Sequence, residues 1–266
     1  MKTYNDIYLE TRNALRASGI EGYTLEARLL VATAAIDAEV QELTRRRLAG
    51  EPVAYITGAW EFYGLPMKVT PDVLIPRMDT ELLVTTAKEL LLGRKMDARI
   101  LDLCCGSGCI ACALGHELPA TKLVAVDISA NALEIARENF ASNRLGSRAI
   151  CIQADATSSP PMSIGQFDMI VSNPPYIASA EIMTLDASVR DYEPIWALDG
   201  GEDGYRFYKA IIKYWKSLLR PGGFLLFEVG EGQAATVKDM LSSAGFRAVG
   251  SRLDTLNIER VVIGKM

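Results

Sequence analysis

Short apolar runs alternate with helical patterns from residue 99 onward. The runs read RILDLCC from residue 99, KLVAVDI from 122, AICIQAD from 149, DMIVSN from 168 and GFLLFEVG from 223. Helical spacing fills the stretches between them, including 130–143 and 205–219. Strands that are apolar on both faces are typical of a parallel sheet covered by helices on both sides. The pattern therefore predicts a doubly wound α/β domain.

The last two strand patterns differ from the others. FRAVGSRLD and ERVVIGKM follow each other without room for a crossover helix. Two strands joined by a short connection pair antiparallel. With the five runs before them, they predict a seven-stranded Rossmann-like sheet that carries an antiparallel hairpin at one edge.

The region before this sheet divides into two parts. Residues 1–50 show helical spacing, with Gly19 and Gly50 as helix stops, and we expect a small helical domain. Residues 51–76 are aromatic and β-branched with turn signals, which predicts a β-hairpin linker. A helix that begins at Asp79 or Thr80 and ends at Gly93 then opens a catalytic domain of residues 77–266. The basic run Arg45–Arg47 is interpreted as a solvated helix end, or alternatively as a docking patch.

Charge and residue usage remove several classes of function. The 266 residues carry a net charge of −5, which argues against general attraction to nucleic-acid phosphates. No apolar run reaches the roughly eighteen residues of a membrane span, and the charged start is unlike a signal peptide. We therefore expect a cytoplasmic protein whose five cysteines are free thiols. His116 is the single histidine, so sites built on several histidines are excluded.

A glycine loop follows the first strand. LDLCCGSGCIAC spans residues 101–112, and Gly106 and Gly108 leave the backbone open to a ligand. With Ala111 they fit G-x-G-x-x-A, and Asp127 ends the next strand, where an acid binds ribose hydroxyls. The pattern indicates a ribose-bearing cofactor. Because the acidic surroundings suit a sulfonium and an ammonium better than a pyrophosphate, we favour S-adenosylmethionine over a dinucleotide.

Three other features allow both a structural and a functional interpretation. Cys109 and Cys112 form a C-x-x-C pair, but without a second pair they are interpreted as inert buried thiols. Asp155 ends the third strand and either contacts an adenine amino group or caps a helix. His116 is interpreted as a helix-end residue.

An unusual corner follows the fourth strand. Asn173, Pro174, Pro175 and Tyr176 stop the apolar run abruptly. A side-chain amide offers one acceptor and two donors, while proline fixes the backbone so that neighbouring carbonyls point in set directions. Tyr176 adds a flat face for stacking. Together these groups predict a clamp for a planar amino group. The nitrogen of such a group is a poor nucleophile, and the clamp would activate it by positioning.

The corner and several longer segments resemble the release factor glutamine methyltransferases, the PrmC/HemK family. The segments are LIPRMDTELLV, DLCCGSG, IVSNPPYI, DYEPIWALDGGEDGYRFYKAII and LRPGGFLLFEVGEGQ. The resemblance covers nearly the whole chain. It implies methylation, by S-adenosylmethionine, of the glutamine side-chain nitrogen in the Gly-Gly-Gln motif of peptide chain release factors, with S-adenosylhomocysteine as product. It also implies that the helical domain and hairpin help to dock the release factor.

The resemblance implies a set of site residues. The loop Cys104, Cys105, Gly106, Ser107 and Gly108 would hold the methionine part of the cofactor, Asp127 the ribose, and Asp155 and Ala156 the adenine. Asn173 would contact cofactor and substrate, and Pro174, Pro175 and Tyr176 would complete the glutamine pocket; Asn173, Pro174 and Tyr176 are the expected catalytic residues. The chain departs from the family pattern at Met78, at Cys104-Cys105 and at Ala156. We expect a monomer without metal or stable nucleic-acid binding.

Three other functions share part of this pattern. A DNA adenine methyltransferase uses the same clamp but needs a basic region that flips out a base. An NAD-dependent oxidoreductase accounts for Gly106, Gly108 and Asp127 and leaves the corner unused. A non-catalytic cofactor-binding module accounts for the sheet alone.

Overall fold

The N-terminal region is helical, as predicted. The computed structural model describes residues 2–92 and 97–266. The first three helices are α1 (Tyr4–Ala17), α2 (Tyr23–Thr33) and α3 (Asp37–Leu48). They bury Leu15, Ala27 and Leu30 together with two side chains of the next helix. A backbone with positive φ at Gly19 and Gly50 follows the first and third of them, which confirms both glycines as helix stops.

The hairpin is shorter than the sequence predicts. The strands are β1 (Ala59–Phe62) and β2 (Leu65–Lys68), which pair antiparallel through a turn at Tyr63 and Gly64. The preceding residues form a short helix, α4 (Val53–Thr57), instead of strand. Its side chains are buried against α2 and the hairpin region, so tertiary packing overrides their β-branched and aromatic propensity.

The large sheet and its helices follow. The elements are α5 (Thr80–Leu91), β3 (Arg99–Leu103), α6 (Cys109–Glu117), β4 (Lys122–Asp127), α7 (Ala130–Ser142), β5 (Ala149–Gln153), β6 (Phe167–Ser172), α8 (Ala187–Arg190), α9 (Arg206–Tyr214), β7 (Leu219–Glu228), α10 (Ala234–Ser243), β8 (Arg247–Leu253) and β9 (Glu259–Lys265). The expected start of α5 is confirmed, whereas the expected end at Gly93 lies outside the described residues.

The sheet order is β5-β4-β3-β6-β7-β9-β8. The first five strands in this order are parallel, and β9 pairs antiparallel with both β7 and β8. This confirms the predicted seven-stranded sheet with an antiparallel hairpin at one edge. The order reverses between β3 and β6, which places the topological switch point at the carboxyl ends of these two strands.

Two apolar cores cover the faces of the sheet. One packs α5 and α6 on strand residues such as Ile100 and Val171. The other packs α9 and α10 on the opposite face, around the fully buried Tyr208 and Trp215. Because both faces are covered, the central strands are buried along most of their length, as their continuous apolar sequence predicts. Within the described part of the chain, every helix is too short or too polar to cross a bilayer.

Candidate active site

A cavity of about 350 Å³ opens at the switch point. Strand register explains why distant segments meet there. Asp102 is level with Ala125 on β4 and with Val171 on β6, so the residues that follow each strand lie side by side. The predicted residues that border the cavity are Cys104, Cys105, Gly106, Ser107, Asp127, Asp155, Ala156, Asn173 and Pro175.

The glycine loop has two glycines with different roles. Gly106 has φ +51°, and a side chain there would meet no heavy atom within 4 Å, so its backbone faces open space. Gly108 has φ +75°, but a Cβ there would lie 2.8 Å from the Phe140 ring. Gly108 does not border the cavity; it allows the start of α6 to pack closely against α7.

Asp127 ties the glycine loop to β4. One carboxylate oxygen accepts the Gly106 N–H at 2.9 Å, and the other accepts the Ser129 N–H at 3.0 Å. Burial raises the pKa of Asp127, while these backbone N–H groups act to lower it. A carboxylate has about four acceptor positions, so two hydrogen bonds leave room for hydroxyl donors from a ligand.

Asp155 and Ala156 lie after β5. Burial acts to raise the pKa of Asp155, but hydrogen bonds from Thr157 and Ser158 lower it overall, which keeps the carboxylate ionised at neutral pH. Asp155 thus shapes a local turn as well as bordering the cavity. The carbonyl of Ala156 accepts the Trp215 indole N–H at 3.0 Å. That bond fixes the small Ala156 against the α9 core.

The Asn-Pro-Pro-Tyr corner is held at both ends. Asn173 Nδ2 donates to Thr80 Oγ1 at 3.1 Å, and Gln233 Nε2 donates to the Tyr176 carbonyl at 2.9 Å. Pro174 and Pro175 are buried. Asn173 and Pro175 border the cavity, whereas Pro174 and Tyr176 do not. Burial, with the nearby Glu228 charge, raises the pKa of the Tyr176 phenol to about 12.

Glu228 is a buried acid that the sequence interpretation missed. It ends β7 and is 2% exposed, and its Oε2 has no hydrogen-bond partner among the described residues. Burial raises its pKa to about 7, although Thr80 and Asn173 act against that rise. The available signal was an acid at the carboxyl end of a parallel strand, the same signal that identified Asp127. The helix residue Thr80 carried no comparable signal.

Other residues that border the cavity also went unpredicted. Arg77 contributes from the segment before α5 and pairs with the buried Glu193. Trp196, Arg206 and Phe207 contribute from the region after the corner. Trp196 is 52% exposed, so the cavity mouth carries an accessible aromatic side chain. Met78, where the chain departs from the family pattern, is 84% exposed and does not border the cavity.

Cys104, Cys105 and Cys109 border the cavity, whereas the histidine does not. All five thiols are free, and burial raises the pKa values of Cys109 and Cys112. Within residues 2–92 and 97–266, no group of His, Cys, Asp and Glu side chains is arranged to hold a metal ion. His116 is exposed in the last turn of α6, which confirms it as a helix-end residue.

The basic run in α3 is neutralised by neighbouring acids. Arg45 pairs with Glu42 at 2.6 Å, Arg46 with Glu51 at 2.5 Å and Arg47 with Glu26 at 2.6 Å. The last two acids link α3 to the following segment and to α2. These pairs favour a structural role for the arginines over a docking patch for an acidic partner.

We expect Asp102 to make the protein less stable as the pH rises. It is fully buried under the glycine loop, and burial raises its pKa from 3.8 to about 8. The folded state therefore holds this proton more tightly than the unfolded chain, and the resulting stabilisation is lost as pH rises through about 8. Urea unfolding should show wild type losing stability relative to Asp102→Asn between about pH 5 and about pH 8. A difference that stays constant over this range contradicts the prediction.

The chain is similar to methyltransferases in sequence and in fold. Residues 78–188 match a family model described as "Methyltransferase small domain". The release factor glutamine methyltransferase of Geobacter sulfurreducens is 40% identical over 274 residues, which cover 96% of this chain and 94% of that protein. The protein of the same name from Clostridium botulinum is 34% identical, with 97% of each chain covered.

The solved structures agree at the level of fold. The hMettl16 catalytic domain matches with a TM-score of 0.63 and 18% identity, covering 90% of this chain and 81% of that one. A methyltransferase from Pyrococcus furiosus matches with a TM-score of 0.55 and 16% identity, covering 85% and 98%. At such identities the matches concern the fold alone.

Proposed function

Because this chain belongs to the release factor glutamine methyltransferase family, we propose that it transfers a methyl group from S-adenosylmethionine to a glutamine of peptide chain release factors. The acceptor is the side-chain amide nitrogen in their Gly-Gly-Gln motif. The observation that carries the proposal is the cavity itself. Gly106, Asp127 and Asp155 border the same space as Asn173 and Pro175, so a methyl donor and a planar acceptor can meet in it.

The residues of the cavity fit S-adenosylmethionine. The open backbone at Gly106 allows close approach, and Asp127 has acceptor positions left for ribose hydroxyls. Asp155, kept ionised, and Ala156 lie where an adenine would be held. The remaining loop residues, Cys104, Cys105 and Ser107, border the cavity and would hold the methionine part of the cofactor, while Gly108 supports the loop through its packing on α7. When bound, the cofactor supplies a methyl group made electrophilic by its sulfonium, and S-adenosylhomocysteine is the product.

The corner prepares the acceptor by orientation. An amide nitrogen is a poor nucleophile because its lone pair is delocalised into the carbonyl. Asn173 Oδ1 and a backbone carbonyl beside Pro174 would each accept one N–H of the glutamine, which turns the lone pair toward the methyl group. Pro175, which borders the cavity, would confine the amide plane, and Tyr176 would support the corner from outside the cavity wall. The nitrogen becomes strongly acidic once methylated, so solvent can take its proton and no base is needed before attack.

The remaining parts of the chain have roles in the same proposal. Residues 1–50 act as a substrate-docking domain, residues 51–76 as a linker and residues 77–266 as the catalytic domain. The protein acts as a cytoplasmic monomer and forms no stable complex with nucleic acid. The net charge of −5 supports the absence of a stable nucleic-acid complex, because the phosphates of a duplex repel a negatively charged protein.

A transfer assay with labelled S-adenosylmethionine tests the function. We expect label on a release factor, and its loss when the Gly-Gly-Gln glutamine is replaced by alanine. Double-stranded DNA with adenine sites serves as the competing substrate. Label on DNA supports the adenine methyltransferase alternative, and label that persists after the Gln→Ala change contradicts the proposed acceptor.

A further inference from the structure

The amide nitrogen of Asn173 is held by Thr80, which also borders the cavity. Nδ2 donates to Thr80 Oγ1, and Thr80 lies at the start of α5, ninety-three residues earlier in the chain. Thr80 is 2% exposed, so this contact is shielded from water. The amide of Asn173 has two N–H donors and one carbonyl acceptor. Because the NH2 end faces Thr80, the carbonyl end is left for the cavity.

The Glu228 carboxylate lies behind this contact. Ser172 on β6 is level with Phe227 on β7, so the residues that follow them, Asn173 and Glu228, are neighbours. Hydrogen bonding to Thr80 and Asn173 acts to lower the pKa of Glu228, as expected when both side chains turn donors toward it. The Thr80 hydroxyl accepts from Asn173 and keeps its own proton to donate. An ionised carboxylate only accepts. The buried carboxylate therefore determines which groups of Thr80 and Asn173 donate hydrogen bonds and which accept them.

A carboxylate in this place is costly, which points to a purpose. Glu228 Oε2 is buried without a partner among the described residues. A buried carboxylate with one oxygen left without a hydrogen bond costs free energy, and a glutamine or an apolar side chain of similar size would avoid the cost of burying a charge. Groups kept at such a cost are found at functional sites.

On the premise of the proposed function, we infer that Glu228 is a positioning residue that acts through Thr80 to hold the Asn173 carbonyl toward the acceptor nitrogen. If the amide turned over, its NH2 group would face the NH2 group of the glutamine, donor against donor. The ionised carboxylate of Glu228 prevents this turn of the amide. Because it only accepts hydrogen bonds, it requires donors from both Thr80 and the Asn173 amide. Protonated Glu228 can donate, and the turned amide is then allowed.

The protonation of Glu228 gives the inference a pH dependence. Burial raises its pKa from 4.5 to about 7, so the carboxyl gains a proton as the pH falls through about 7. The titratable and charged groups that interact with it are Asp79 and Arg260, the Tyr176 and Tyr208 phenols and the Cys109 thiol. Since its folded pKa lies above the ordinary value, Glu228 favours the fold as the pH falls. Activity and this stability contribution therefore change in opposite directions.

Measurements of kcat test whether Glu228 and Thr80 position Asn173. Glu228→Gln and Thr80→Val should each lower kcat roughly 10- to 100-fold, as supporting residues behind a site commonly do, with the Kd for S-adenosylmethionine unchanged. Thr80→Ser keeps the hydroxyl and should stay near wild type. Wild-type kcat should fall below about pH 7, and this inflection should be lost in Glu228→Gln. Thr86→Val is the matched control, because Thr86 is equally buried on α5 but does not border the cavity.

A second measurement needs no substrate. In nitrogen-15 spectra, the side-chain NH2 signals of Asn173, assigned by their loss in Asn173→Ala, should shift with a midpoint near pH 7 in wild type and stay fixed in Glu228→Gln. If Glu228→Gln does not fold, the comparison of kcat between Thr80→Val and Thr80→Ser tests the inference. Unchanged kcat in folded Glu228→Gln and Thr80→Val overturns the inference while the function stands. A wild type that modifies no release factor overturns the function, and the Asn173 titration then supports or overturns the arrangement by itself.

Discussion

Replacement of Asn173 by alanine is expected to abolish methyl transfer to the release factor while leaving the protein folded. The side chain is the one amide of the corner that borders the cavity, and its carbonyl is the proposed acceptor for a glutamine N–H. Loss of one preorganised hydrogen-bonding group at a reacting centre commonly costs about 10²- to 10³-fold in kcat. Single-turnover transfer of labelled methyl, measured with saturating cofactor, gives the fall in rate.

The effect on folding should be much smaller. Asn173 is half-buried, donates to Thr80 and lies beside Glu228, and a lost hydrogen bond of this kind costs about 0.5–1.5 kcal/mol of unfolding free energy. Asn143→Ala is the control, because Asn143 is also half-buried and donates to the Pro66 and Asn139 carbonyls, each at 3.0 Å, without bordering the cavity. It should lose at least as much stability and keep its activity. Transfer that survives in Asn173→Ala would show that the corner is not the acceptor site.

Replacement of Asp127 by asparagine is expected to weaken cofactor binding about 10- to 100-fold. The carboxylate accepts one N–H from the glycine loop and one from the start of α7, and it has positions left for ribose hydroxyls. Hydrogen bonds to charged groups contribute about 1.5–3 kcal/mol, and each 1.4 kcal/mol changes Kd by a factor of ten. Calorimetric titration with S-adenosylmethionine and with S-adenosylhomocysteine should show the same loss, since both carry the ribose.

A second turn carboxylate provides the control for Asp127. Asp254 accepts the N–H groups of Leu256 and Ile258 at 2.8 and 2.9 Å, yet it does not border the cavity. Asp254→Asn should lose stability without a change in cofactor affinity. Equal cofactor affinities for Asp127→Asn and wild type would remove Asp127 from the ribose site.

The predictions of helices and strands were correct where one sequence signal dominates. The five apolar runs and the terminal hairpin became the seven strands, because continuous apolar sequence has no stable alternative to burial in a covered sheet. Val53–Thr57 was predicted as strand and is helix, because its aromatic and β-branched residues satisfy their preference for burial in the helical packing. Propensity alone cannot distinguish these outcomes in so short a segment.

The site shows the same division. Gly106 and Gly108 look alike in sequence, and only the position of Phe140 decides that one faces open space and the other a neighbouring helix. The ion pairs Arg46–Glu51 and Arg47–Glu26 likewise depend on how the chain folds around α3. Such facts concern distances across the chain, and a linear pattern does not contain them.

By itself the sequence determined the α/β class, the glycine loop, the acids at strand ends and the chemical character of the corner. These depend on backbone freedom, apolar burial and side-chain chemistry, all of which are local properties of the residues. The tertiary structure decided that Thr80 and Glu228 stand behind Asn173. They come from α5 and β7, on either side of the corner in the chain, and only the crossing of the sheet at its switch point brings a hydroxyl and a buried carboxylate to one amide.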